Sequence, residues 1–189
     1  MNSARPAVFL DRDGVVNEPV RDGELLRPPT TLHELRVTDG AGKELARLRD
    51  AGYLLVVVTN QPDVARGTAR REDVEEINRR LAADLELDAV YSCMHDNADG
   101  CECRKPLPGL LLQAAREQGI DLPSSWLIGD RWVDIAAGNA VGVRSILLET
   151  PHSRRATSAG EPRDAQPHAA FSTLRACVDH ILAGDDVLT

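Results

Sequence analysis

Asp11 and Asp13 stand two residues apart at the end of an apolar run, in Ala7-Val8-Phe9-Leu10-Asp11-Arg12-Asp13-Gly14. In a strand, residues i and i+2 point to the same side, so both carboxylates could converge on one reacting atom. Two acids so placed repel each other and need a cation or a shared proton. A hard metal such as Mg²⁺, held by few carboxylates and completed by water and a phosphate, is the usual solution. Asp11 is then the candidate nucleophile, a carboxylate that accepts a phosphoryl group and splits one hard displacement into two easier ones. Asp13 would protonate the leaving oxygen and later deprotonate water. Taken alone, the pair also fits a turn with two capping carboxylates.

Three later pieces supply what such chemistry lacks. Thr59-Asn60, behind Leu54–Val58, offers a hydroxyl and backbone N–H groups to a phosphoryl oxygen. Lys105, behind Arg104, brings positive charge, which acts best when it is preorganised around the transferring group. Asp130, behind Trp126–Gly129, is a second metal carboxylate, and Asp134 lies one helical turn on. Asp134 either orients the metal ligands or serves as a first-turn acid favoured by the helix dipole.

Cys93-x-His95 and Cys101-x-Cys103 form a second constellation, of three sulfurs and one imidazole. Tetrahedral Zn²⁺ takes such a set, and a closed four-ligand site is structural. Met94 is the only large apolar residue of the segment, so packing alone cannot hold it. A zinc worth about 10–16 kcal/mol in small peptides can. The segment runs directly into Arg104-Lys105, so zinc here would place those two cations.

The elements that must position these residues are legible as alternating patterns. Strand-like runs recur at Ala7–Leu10, Leu54–Val58, Ala89–Tyr91, Trp126–Ile128 and Ser145–Leu148. Helical patterns lie at Ala41–Leu48, Val74–Leu85, Leu110–Glu117, Val133–Val141 and Thr173–Leu182. Strands alternating with helices predict an α/β fold with a mainly parallel sheet covered on both faces. Ligands of such sheets bind beyond the carboxyl ends of the strands, at a switch point. Asp11, Thr59 and Asp130 each follow a strand-like run. Val15–Leu35 and Thr150–Pro167 read as irregular, the second as an exposed connector.

The 189 residues suit a single domain. The net charge of −8 argues against broad nucleic-acid or anionic-membrane binding. No apolar run approaches a membrane span or a signal peptide, and the cytoplasm is the expected compartment. Three of the four cysteines cluster, which in a reducing compartment indicates metal rather than disulfide. Cys177, among Leu174, Val178 and Ile181, reads as a buried thiol.

The succession Asp-x-Asp, Thr, Lys and Gly-Asp-x(3)-Asp resembles the haloacid dehalogenase superfamily of phosphotransferases, from about Ala7 to Leu148. The resemblance implies a Rossmann-like fold, a phosphoaspartate at Asp11, acid–base work by Asp13, and Mg²⁺ on Asp11, Asp130 and the Asp13 main-chain oxygen. An aspartate as second acid points to phosphatases and phosphomutases. The Cys-x-His…Cys-x-Cys-Arg-Lys-Pro arrangement, with Asp11-Arg12-Asp13-Gly14, Thr59-Asn60-Gln61 and Ala65-Arg66-Gly67, is similar to the D,D-heptose 1,7-bisphosphate and histidinol-phosphate phosphatases.

That family implies substrate contacts at Asp11, Arg12, Asp13, Thr59, Asn60, Gln61, Arg104, Lys105 and Arg131, and a specificity loop at Pro19, Val20, Arg21 and Asp22. It also implies a zinc site at Cys93, His95, Cys101 and Cys103. Pro62-Asp63 departs from the usual Ser-Gly, and Val15 stands where Thr is common. The intervals between motifs leave no space for a large cap, so Val15–Leu35 and the zinc loop are the expected walls. Arg21, Arg104 and Arg131 are candidates for reading the second phosphate of a bisphosphate, a task suited to the guanidinium fork. The reading is a monomeric Mg²⁺-dependent phosphatase with structural Zn²⁺, acting on a phosphorylated sugar, D-glycero-D-manno-heptose 1,7-bisphosphate. Histidinol phosphate or another small phosphomonoester is the alternative substrate. A zinc-knuckle binding module without catalysis is the reading from another class.

Overall fold

The chain is built around Ala7–Leu10 (β1), whose four side chains are all buried. The computed structural model describes residues 4–23, 25–150, 162 and 164–184. After β1 come a hairpin of Val20–Asp22 (β2) and Leu25–Arg27 (β3), then Ala41–Asp50 (α1), Leu54–Asn60 (β4), Arg71–Asp84 (α2) and Ala89–Cys93 (β5). Gly109–Gln118 (α3), Trp126–Gly129 (β6), Trp132–Asn139 (α4), Arg144–Leu148 (β7), Ala169–Phe171 (β8) and Leu174–Ala183 (α5) complete the fold.

The main sheet has the order β5-β4-β1-β6-β7-β8, and every pairing in it is parallel. The register sets Leu10 opposite both Val57 and Ile128, so the three central strands end side by side. Strand order reverses at β1. A crevice opens at such a point, and Asp11 is the first residue beyond it.

Strand alternation sorts the core onto two faces. Val8, Leu10, Leu55, Val57, Ile128 and Ile146 pack with Leu45 and Leu48 of α1, Ile77 and Leu81 of α2, and Cys177, Val178 and Ile181 of α5. Ala7, Phe9, Val56, Val58 and Leu127 pack with Leu110, Leu111 and Ala114 of α3 and Ala137 of α4. The result is the three-layer α/β arrangement expected from the sequence, and Cys177 is buried in it as expected.

The structure differs from expectation in three places. The stretch Val15–Leu35 holds the β2–β3 hairpin rather than irregular chain throughout, because Val20↔Arg27 and Asp22↔Leu25 pair antiparallel between Pro19 and Pro28. β4 and β5 each run two residues past their apolar runs, since the pairs Thr59↔Ser92 and Asn60↔Cys93 continue the ladder with polar side chains. The short edge strand β8 pairs with β7 without a sequence signal of its own. Most of the expected connector, at 151–161 and 163, lies outside the described residues.

Candidate active site

A cleft of about 320 Å³ opens at the carboxyl ends of β1, β4 and β6. Its floor carries Asp11, Asp13, Asn60, Lys105, Asp130 and Asp134, and its walls include Pro19, Leu26, Arg27, Pro28, Asp63, Arg66, Arg104 and Arg131.

Lys105 organises the floor. Its Nζ donates to Asp11 Oδ1 at 2.8 Å and to the Val58 carbonyl at 2.7 Å, and lies 2.6 Å from Asp134 Oδ1. The side chain is buried. Burial disfavours its charge, but Asp11 and Asp134 outweigh that and hold the ammonium above its ordinary pKa. Burial pushes Asp11 up to about 6 against the pull of Lys105. Burial, reinforced by Asp11 and Asp134, raises Asp130 well above the ordinary carboxylate range.

One carboxylate oxygen each of Asp11, Asp130 and Asp134 lies within 4.8 Å of the others. Asp134 therefore completes the cluster of acidic side chains, and it reaches there because Gly129 has no Cβ to collide with it. Its Oδ2 also accepts from the Arg131 backbone N–H at 3.1 Å. Gly14 (φ +90°) makes a second close approach, with Asp130 Oδ2 where its Cβ would be. Asp130 Oδ1 is buried without a hydrogen-bond partner. An orphaned buried oxygen is costly unless a cation or water meets it. Three carboxylates against one ammonium leave a formal charge of −2, which a divalent cation cancels. The donors are all oxygens, the set that Mg²⁺ prefers.

Asp13 points into a web of donors. Asn17 Nδ2 donates to Oδ1 at 3.0 Å, Gln61 Nε2 to Oδ2 at 2.7 Å, and Arg12 Nη2 lies 3.1 Å from Oδ2. Gln61 Nε2 also donates to Thr59 Oγ1 at 2.8 Å. Thr59 and Gln61 are buried behind Asp13. Arg12, expected among the substrate contacts, is 0% exposed and is not among the residues that line the cleft. Its charge is met inside the protein by Asp13, and Nη1 donates to Asn78.

Cys93, His95, Cys101 and Cys103 meet beside the cleft. Cys93 Sγ lies 3.1 Å from Cys103 Sγ and 3.6 Å from Cys101 Sγ, and His95 Nδ1 lies 3.3 Å from Cys103 Sγ. None of the three cysteines is disulfide-bonded. A tetrahedral zinc with bonds of about 2.3 Å separates its sulfurs by about 3.8 Å, so the set fits zinc with a slight expansion. From this knot Arg104 reaches Asn97 Oδ1 at 2.7 Å and the His95 carbonyl at 3.2 Å. Arg66 forks onto Asp96 with two 2.8 Å bonds, which ties the loop after β4 to the zinc loop.

Of the specificity-loop residues, Pro19 lines the cleft. Val20 and Arg21 line a separate depression with Glu18, His33 and Arg36, and Asp22 is exposed. Arg21 is thus not brought together with Arg104 and Arg131. In its place the hairpin presents Arg27, fixed by Glu34 through bonds of 2.9 and 2.6 Å. Sequence reasoning missed Arg27 and gave Arg66 and Asp63 no role, since their placement depends on partners in other loops.

The family model described as HAD-hydrolase-like (haloacid dehalogenase) matches residues 102–177. The chain is 35% identical over 186 residues to the D-glycero-β-D-manno-heptose-1,7-bisphosphate 7-phosphatase of Yersinia pestis, covering 90% of this chain and 89% of that one. It is 38% identical over 157 residues to the protein of that name from Vibrio cholerae, covering 77% and 81%. The crystal structure of D,D-heptose 1,7-bisphosphate phosphatase from B. bronchiseptica, complexed with magnesium and phosphate, superposes with a TM-score of 0.76. It is 30% identical and is covered over 98% of its length, with 94% of this chain. No helix among the described residues is long and apolar enough to cross a membrane. With this floor of carboxylates and lysine on this sheet, the chain belongs to the haloacid dehalogenase-like phosphatases, in the family of the heptose-1,7-bisphosphate 7-phosphatases.

Proposed function

We propose that this chain, as a single-domain monomer of the cytoplasm, removes the C7 phosphate of D-glycero-D-manno-heptose 1,7-bisphosphate to leave the heptose 1-phosphate. Asp11 attacks phosphorus; the new Asp11 oxygen–phosphorus bond forms as the bond to the C7 oxygen breaks, and Asp13 gives that oxygen its proton. Asp13 then takes a proton from the water that cleaves the phosphoaspartate. Lys105 holds Asp11 and the transferring group in register, and Asn60 and the buried Thr59 frame that side of the pocket. Mg²⁺, held by the Asp11 and Asp130 carboxylates and the Asp13 main-chain oxygen, supplies positive charge for the phosphoryl oxygens when bound. Zn²⁺ on Cys93, His95, Cys101 and Cys103 shapes the loop that carries Arg104 and Lys105. Arg104 and Arg131 face the cleft and are the cations for the phosphate that stays behind.

The observation that carries the reaction is the buried triad of Asp11, Lys105 and Asp134 beside the partnerless oxygen of Asp130. The substrate rests on the relatives' names and on the arginines of the cleft. The test is kcat/KM for the α and β heptose bisphosphates against histidinol phosphate, with acid-quenched enzyme assayed for phosphate on Asp11. Preference for a heptose bisphosphate and a labelled Asp11 are expected. Comparable poor rates on all three would remove the substrate, and an unlabelled Asp11 would remove the mechanism.

A further inference from the structure

A buried guanidinium needs a counter-charge and partners for its N–H groups. Arg12 divides its fork between two residues. Nε donates to both oxygens of Asp13, at 3.4 and 3.2 Å, and Nη2 donates to Asp13 Oδ1 at 3.2 Å. The other arm, Nη1, donates to Asn78 Oδ1 at 3.0 Å. Asn78 is buried on α2 and does not line the cleft. Its Nδ2 donates in turn to Ser92 Oγ on β5 at 2.8 Å. The amide is engaged at both ends, so its orientation is fixed, and with it the rotamer of Arg12. Among the described residues Asp13 is the one carboxylate paired with Arg12.

We infer that Asn78 is a positioning residue for the reaction: it holds Arg12, and Arg12 aims the carboxyl of Asp13 at the leaving oxygen. The inference rests on the reaction proposed above. An alanine at position 78 suits a helix but leaves Nη1 without its acceptor, so the guanidinium is free to tilt, and of the donors that aim Asp13 only Asn17 and Gln61 keep their directions. The step affected is the first, in which the phosphorus bond to Asp11 forms, the bond to the leaving oxygen breaks, and the Asp13 proton moves to that oxygen. A departing sugar alkoxide needs that proton. A departing p-nitrophenolate is stable as the anion and does not.

The test is rapid-quench measurement of phosphoenzyme formation by Asn78→Ala, with saturating Mg²⁺, from heptose 1,7-bisphosphate and from p-nitrophenyl phosphate. General acid catalysis contributes about 10²–10⁴-fold, and a misaimed acid retains part of it. The rate from the sugar phosphate is therefore expected to fall about 10-fold and that from the aryl phosphate to stay within about twofold. Asn78→Asp keeps an acceptor for Nη1 and is expected to restore the sugar-phosphate rate toward the parent's.

Should Asn78→Ala not fold, Ser92→Ala deletes a single hydroxyl and is expected to give the same selective slowing, of smaller size. Equal slowing with both substrates, or no slowing with the sugar phosphate, overturns the inference. A parent enzyme that forms no phosphoenzyme from either substrate overturns the underlying reaction instead, and the parent alone reports it.

Discussion

Asn60 and Lys105, 45 residues apart in sequence, hold each other by a reciprocal pair of hydrogen bonds. Asn60 Nδ2 donates to the Lys105 carbonyl at 2.9 Å, and the Lys105 N–H donates to Asn60 Oδ1 at 3.0 Å. The tip of β4 is thereby latched to the end of the zinc loop. Asn60→Ala strands two backbone groups in a part-buried place, and each such group costs about 1–3 kcal/mol if water does not reach it. A loss of about 2 kcal/mol in urea unfolding is expected, with kcat/KM lowered about 10-fold by the misplaced lysine. Unchanged kcat/KM would show that Lys105 keeps its place without the latch.

Lys105 is the counter-charge for the acidic floor. Lys105→Met leaves Asp11, Asp130 and Asp134 facing one another without an ammonium. Removing one partner of a buried pair costs about 3–5 kcal/mol, and turnover is expected to fall by about 10³-fold or more for want of charge at the transferring group. Denaturant unfolding in chelator and steady-state assays in Mg²⁺ check the two halves separately. Added Mg²⁺ is expected to restore stability to the variant more than to the parent, because it replaces part of the missing positive charge.

Gly14→Ala is expected to weaken Mg²⁺ binding. The residue has φ +90°, and its Cβ would strike Asp130 Oδ2. Backbone strain of about 1–3 kcal/mol accompanies the collision, and disturbing the groups that orient a metal ligand typically costs about 10–100-fold in affinity. Calorimetric titration with Mg²⁺ measures this directly, and the Mg²⁺ needed for half-maximal activity should rise in parallel. Equal affinity in the two proteins would remove Asp130 from the metal site.

Zinc analysis of the purified protein is expected to find one ion per chain, lost in Cys101→Ser. Removal of zinc by a strong chelator, followed by excess Mg²⁺ alone, should leave the enzyme weak in kcat/KM, and Zn²⁺ should restore it. The reason lies in Arg104, whose side chain is anchored to Asn97 and to the His95 carbonyl within the loop that a zinc on Cys93, His95, Cys101 and Cys103 would close. Full activity of the zinc-free, Mg²⁺-loaded protein would reduce the knot to a spectator.

Glu34 gives a pH-dependent term in stability. The fork of Arg27, helped by the Thr30 backbone, holds its carboxyl down to about 2, below its ordinary 4.5. A depressed folded-state pKa means that the contribution is complete above the ordinary value and is lost as pH falls from there through about 2. The difference in unfolding midpoint between the parent and Glu34→Gln should therefore be constant above pH 5 and shrink as pH falls below 4.5. A difference that stays constant to pH 2 would show that the Arg27 fork does not act on the Glu34 carboxylate.

The strands bearing the chemistry were legible because buried parallel strands are short apolar runs, and Ala7–Leu10 has the bounds that its sequence indicates. Asp11, Asp130 and Lys105 were legible because chemistry demands their types just past those runs. What escaped was orientation. Arg12 is buried with one arm on Asn78, 66 residues away, a partner that no local pattern discloses. The choice of Arg27 over Arg21 is decided by a hairpin register between two prolines, where three-residue strands give no periodic signal. Arg66 is placed by Asp96, a loop residue with no mark in sequence. Long-range pairings of charged side chains carry no local pattern, so a single chain does not disclose them.

The hairpin of Val20–Asp22 and Leu25–Arg27 forms a sheet of its own and, among the described residues, is paired with no strand of the central six. The cleft wall that carries Leu26 and Arg27 thus stands apart from the sheet that carries Asp11 and Asp130, so a change in the length or register of the hairpin alters that wall without breaking a ladder of the sheet beneath it.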